Sequence, residues 1–139
     1  MILGNAFRWL PEYAVGVPEI DHEHQGLFSL AEKLHSAMRA GKGGDFLNPL
    51  LNELIEYTQD HFAHEEALMT RIAYPYHEDH CRQHEELRTK VRAMSDRAAA
   101  GEISMTIEVM QFLLSWLKSH TTTSDRRIGT YMRKCGLVP

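Results

Sequence analysis

The feature that most restricts how this chain can fold is a pair of histidines, His80 and His84, on a stripe that continues through Leu87, Val91 and Met94. Side chains four apart share one helix face, so both imidazoles point where the stripe says a core should be. Ring nitrogens buried against leucine, valine and methionine would each cost about 1–3 kcal/mol in unmade hydrogen bonds. The fold must therefore bring polar partners or a metal ion to meet them.

The same conflict recurs along the chain. A first amphipathic helix over about 19–40 carries His24 on the stripe Ile20, Leu27, Phe28, Ala31, Leu34 and Met38 and stops at Gly41-Lys42-Gly43-Gly44. His22 lies about 200° from His24 on the polar side, and His35 falls about 16 Å further along the axis. A second helix, about 45–71 with Asp45 as N-cap, places His61 and Glu65 on a stripe with Leu47, Leu50, Leu51, Leu54, Thr58 and Leu68. Glutamate is almost never fully buried unless paired or metal-bound. Tyr74-Pro75 separates this helix from a third, about 77–100, and Ser104 is the expected cap of a fourth, about 104–121. That helix brings Val109, Met110, Leu113, Trp116, Leu117 and His120 to one face.

Asp125 follows His120 by five residues, a rotation of about 500° that takes it off the face unless the helix deforms. Thr121-Thr122-Thr123-Ser124 is where a π-type bulge or kink is expected, before a short last helix over about 123–134. Residues 1–18, with Trp9, Pro11, Tyr13 and Pro18 and no helical period, read as an extended arm packing its aromatics on the body. No segment reads as a strand. The expected fold is all-α, an antiparallel up-down-up-down four-helix bundle, in which cofactor sites are built between facing helices.

Seven inward polar groups then meet at one level: His24, His61, Glu65, His80, His84, His120 and Asp125. A single core histidine is usually just a satisfied core residue, but seven unpaired groups would consume much of a domain's 5–15 kcal/mol stability. They are too many for one ion. Two ions of about six ligands each have about twelve places; five imidazoles, two bridging carboxylates and an oxo or hydroxo bridge leave about one for a ligand such as dioxygen. His77 lies in line with His80 and His84, and spacing alone leaves it open as a ligand.

With 139 residues and a net charge of −4, the chain suits one domain and lacks the basic face that nucleic acid or an anionic membrane would require. Cys81 and Cys135 form no paired motif, no leader is evident, and no apolar run approaches a membrane span, so a soluble cytoplasmic protein is expected. Ferritin-like Glu-x-x-His pairs occur only on the first helix, and the second histidine of a zinc-protease helix is missing after His64 and His84.

The combination Ile20-Asp21-His22-Glu23-His24-Gln25, His61-Phe62-Ala63-His64-Glu65-Glu66, Tyr74-Pro75, His80-x-x-x-His84 and Trp116-Leu117 leading to His120-x-x-x-x-Asp125 resembles the hemerythrin family, specifically its small single-domain bacteriohemerythrins. The resemblance covers nearly the whole chain. It implies a non-haem di-iron centre that binds dioxygen reversibly, with His80, His84 and His120 on one iron, His24 and His61 on the other, and Glu65 and Asp125 bridging. It selects His80 and His84 over His77 and puts the open place on the iron of His24 and His61. One departure is Thr121, where the family usually has a bulky aliphatic residue; Thr121 and Trp116 are candidates to line the oxygen pocket. A carrier, store or delivery role is expected rather than an enzyme. The alternatives are an oxygen or redox sensor acting through a separate protein partner, and a di-iron enzyme reducing dioxygen, peroxide or nitric oxide.

Overall fold

The computed structural model describes residues 8–41, 44–100 and 107–138, with the side chains of 44–48, 98, 107–111, 113 and 114 left aside. Helix α1 runs Pro18–Arg39, α2 Gly44–Arg71, α3 His77–Ala99, α4 Ile107–His120 and α5 Arg126–Lys134. Together α1 to α4 form an antiparallel bundle in which α1 packs on α2 and α4, and α2 on α3. Among the described residues no helix is long and apolar enough to cross a membrane. The capping roles expected of Asp45 and Ser104 lie outside the described side chains and residues.

The start and the stop of α1 follow local chemistry. Pro18 opens α1 with its φ already suited to a helix, and the Asp21 carboxylate accepts the Val15 and Gly16 amides at 2.7 and 3.2 Å, tying the arm to the first turn. Gly41, at φ +74°, closes the same helix in the left-handed conformation. The arm differs from the expected extended segment, because Pro11–Tyr13 forms a 3-10 turn, to which Pro11 contributes a preset φ. Its aromatics do pack inward: Trp9 and Tyr13 lie 5.5 and 5.2 Å from the Phe28 ring.

Between α4 and α5 the backbone is π-helical over Thr121–Asp125. The wider turn absorbs the extra residue between His120 and Asp125, and both are buried. It also moves the start of the last helix to Arg126.

The arm returns across α5. Arg133 donates to the Val15 carbonyl at 3.0 Å, Arg126 to that of Glu12. A Cβ at Gly129 would overlap the Val15 carbonyl oxygen, so only glycine permits this approach.

Three apolar clusters result among the described residues, a small one of Phe62, Leu87 and Val91 beside His84 and two larger ones. One gathers Leu27, Phe28, Ala31, Leu34, Leu51, Leu54 and Leu117; the other gathers Val15, Val17, Ile20, Leu68, Met69, Ile128 and Met132. His24 lies between Ile20 and Leu27 on α1, and His61 and Glu65 between Leu54 and Leu68 on α2. The polar groups thus form a layer between two apolar ones.

Candidate metal centre

All seven inward polar residues are at most 5% exposed. Glu65, His80, His84, His120 and Asp125 present donor atoms within 4.8 Å of one another, and so do His24, His61, Glu65 and Asp125. The carboxylates belong to both groups and divide their oxygens between them. Glu65 turns Oε1 to the Nε2 atoms of His80 and His84, at 2.6 and 3.0 Å, and Oε2 to that of His61 at 3.4 Å. Asp125 turns Oδ1 to Nε2 of His80 and His120, at 3.1 and 3.0 Å, and Oδ2 to that of His24 at 2.8 Å.

Proximity here is not satisfaction. His61 Nε2, Glu65 Oε2 and both Asp125 oxygens are buried without a hydrogen-bond partner, despite these short separations. Donor and acceptor lie close but misaligned, as expected of groups aimed at common points rather than at each other. His84 Nε2 and His120 Nε2 face each other at 3.3 Å, a pairing that requires a proton or a cation to be favourable. Nitrogen and carboxylate donors in this mixture suit first-row transition ions.

The outer ring nitrogens fix which atoms face inward. His61 Nδ1 donates to Glu23 Oε1 at 2.7 Å, and His84 Nδ1 to Glu66 Oε2 at 2.8 Å, with Arg88 also on Glu66 at 3.2 Å. His120 Nδ1 donates to Gln83 Oε1 at 3.2 Å, and Ser124 of the π turn donates to the same oxygen at 2.6 Å. These contacts hold each Nε2 toward the centre. Rings add steric support: Phe62 stacks on His84 at 3.7 Å and Trp116 on His120 at 4.3 Å.

Electrostatics reflect two carboxylates buried among imidazoles. Burial pushes the His120 pKa down, but the charges and hydrogen bonds of Asp125 and Glu65 together outweigh it and raise the value to about 10. His61 and His80 are raised in the same way, against burial, by Glu23 and Asp125 respectively and by Glu65. Burial and their mutual repulsion would raise Glu65 and Asp125, yet the surrounding imidazoles hold both well below the usual carboxylate range. His84 is lowered by burial. The chain alone therefore balances its two negative charges with protons on histidine, which bound cations would displace.

Residues 15–131 match the family model described as the hemerythrin HHE cation-binding domain. The chain belongs to the hemerythrin family. It is 31% identical over 122 residues to the bacteriohemerythrin of Stenotrophomonas maltophilia, covering 85% of this chain and 76% of that one. The bacteriohemerythrin of Clostridium acetobutylicum is 28% identical, with 86% and 96% covered. A wild-type hemerythrin crystal structure superposes with a TM-score of 0.83 at 26% identity, over 88% of this chain and 94% of that one.

The remaining histidines of this hemerythrin-family chain stay outside both donor groups. His22 and His64 are exposed and His77 half-buried. His35 is buried, its pKa lowered first by burial and then by Arg39. Trp116 and Leu117 help line a small apolar cavity of about 20 Å³ with Leu27, Leu54, Leu87 and Val91; Thr121, although buried, is not part of that lining. Glu23, Glu66 and Gln83 were not singled out from sequence. Nothing in their spacing marks them, because each is half-exposed on its own helix and meets its histidine only across the bundle, or across the site.

Proposed function

We propose that the chain binds dioxygen reversibly at a di-iron centre held by His24, His61, Glu65, His80, His84, His120 and Asp125, in a carrier, storage or delivery role. The observation that carries this reading is the division of the Glu65 and Asp125 oxygens between a group of three histidines and a group of two. Each carboxylate would then offer one oxygen to each of two ions. His80, His84 and His120 would hold one ion, His24 and His61 the other; the pair of irons, when bound, supplies the dioxygen-binding chemistry.

The chain's own contribution is to orient and to enclose. Glu23, Glu66 and Gln83 keep the inner nitrogens aimed at the centre, and Phe62, Trp116 and Leu117 exclude water on the side of the three histidines. The two-histidine group has fewer protein donors, which favours it as the place where a diatomic ligand binds. The 20 Å³ cavity beside Trp116 has room for about one water-sized molecule and an apolar lining suited to a neutral gas.

Metal analysis together with absorption spectra of the reduced protein, before and after air and again after deoxygenation, tests the reading. About two irons per chain and a spectrum that appears with air and reverses on deoxygenation are expected. One iron per chain, or preferential zinc in protein made with ample iron, would overturn the dinuclear centre; irreversible oxidation with two irons bound would favour redox chemistry over carriage.

A further inference from the structure

Outside the buried centre, the largest of the described cavities, about 280 Å³, opens on the face shared by α1 and α2. Glu19, Glu23 and His64 line it, Arg71 stands with them, and Glu65 forms part of its wall. Glu65 is the connection inward: its side chain is fully buried, and its Oε2 has no hydrogen-bond partner. Between surface and centre stands Glu23, whose two oxygens are bonded to different histidines, Oε1 to buried His61 at 2.7 Å and Oε2 to exposed His64 at 2.6 Å.

We propose that this cavity is the port through which ferrous ions reach the centre, with Glu19 and His64 receiving the cation at the surface and Glu23 passing it to His61 and Glu65. The inference rests on the di-iron reading above. With Glu65 balanced by the inner histidines, the Glu19 and Glu23 carboxylates still outnumber the one guanidinium of Arg71, so the cavity's potential attracts a divalent cation, and a lined concavity focuses such a field. Carboxylate oxygen and imidazole nitrogen are suitable ligands at every stage, so the hydrated ion can exchange water for protein donors stepwise. The opposite face has the wrong chemistry. There the groove between α2 and α3, about 80 Å³, is lined by two guanidinium groups, Arg88 and Arg92, against the single carboxylate of Asp96, and the small cavity inside it is largely apolar. Cation and neutral gas would thus use different sides of the bundle.

The test measures loading, not oxygen binding. Full-length metal-free protein is mixed anaerobically with ferrous iron, quenched at intervals with a strong ferrous chelator, and the protected iron counted. Glu19→Gln combined with His64→Ala should slow uptake about tenfold at low ionic strength, with the difference shrinking in added salt, and the final iron content should match wild type. Ala67→Trp, which fills the exposed mouth, should slow both uptake and the loss of iron from loaded protein to chelator by the same factor, because a shared route obeys microscopic reversibility. Arg92→Ala on the other face should load at the wild-type rate. Wild-type rates in both port variants, with about two ions finally bound, would overturn the port alone. A wild-type chain that never retains about two ions would overturn the dinuclear reading and this inference with it.

Discussion

At the scale of single residues, the centre depends on which ring nitrogen each histidine turns inward. Glu66 and Gln83 touch no inner donor atom, yet they hold the Nδ1 atoms of His84 and His120. Outer partners of this kind contribute about 10–100-fold to metal affinity. Glu66→Ala and Gln83→Ala should each weaken iron retention by about that factor in chelator competition while leaving about two irons per chain when iron is in excess; unchanged retention would mean the rings are held by packing alone. Thr121 poses a different question. Thr122 and Thr123 donate to the carbonyls of Lys118 and Ser119, whereas Thr121 is buried next to His120 in the π turn. Thr121 lines none of the described cavities, but a hydroxyl buried beside His120 would draw water toward that ring, which shortens the life of an oxygenated form. Thr121→Ile should therefore slow the decay of the oxygenated absorption, and equal or faster decay with iron content intact would rule out that role.

At the scale of elements, the helix ends carry their own chemistry. The Gly41 amide donates to the Met38 carbonyl at 3.0 Å, and Gly136 and Leu137 donate to Arg133 and Met132 at 3.1 and 2.8 Å, with both glycines at positive φ. The end of α2 makes the same pattern, Ala73 to Thr70 at 3.2 Å and Tyr74 to Met69 at 2.9 Å, but with alanine at φ +53°. A Cβ in that conformation costs roughly 1–2 kcal/mol, part of which glycine returns through its freer unfolded chain. Ala73→Gly should raise stability by roughly 0.5–1 kcal/mol in denaturant melts, with no change in iron content. Tyr131, whose hydroxyl reaches the Ile72 and Ala73 carbonyls at 3.4 and 3.3 Å, helps hold the turn. A loss of stability in the glycine variant would show that this hydroxyl, rather than local strain, governs the turn.

At the scale of the whole molecule, burying two carboxylates among five imidazoles makes stability depend on pH and metal together. For His120, whose folded pKa is about 10, the stabilisation is complete below the unfolded value of about 6.5 and is lost as pH rises toward 10. His61 and His80 act in the same sense. Glu65 and Asp125, held low, contribute stability that is complete above their unfolded values of about 4 and is lost as pH falls. His84, lowered by burial, opposes the other histidines. Metal-free protein should therefore be most stable between about pH 5 and 6.5 and melt progressively lower toward pH 10. Iron-loaded protein, whose inner nitrogens carry no proton, should lose much less over the same range. Parallel thermal melts decide it, and a flat profile for the metal-free chain would contradict the charge balance described above.

What the sequence determined by itself is what helical periodicity can carry. His24, His61, Glu65, His80, His84 and His120 each stand on an apolar stripe, and a residue's place on a helix face depends only on its near neighbours. Asp125 was legible for a related reason: five residues do not fit a regular turn, and the threonine run is a poor continuation of one, so a π segment was the way to bring it inward. The tertiary structure decided everything that depends on distance between helices. Which carboxylate oxygen faces which histidines, the selection of Glu23, Glu66 and Gln83 as outer partners, the cavity behind Glu23 and the close passage of Val15 over Gly129 all arise where chain segments far apart in sequence meet. Periodicity says which way a side chain points along its own helix; only packing says what it meets there.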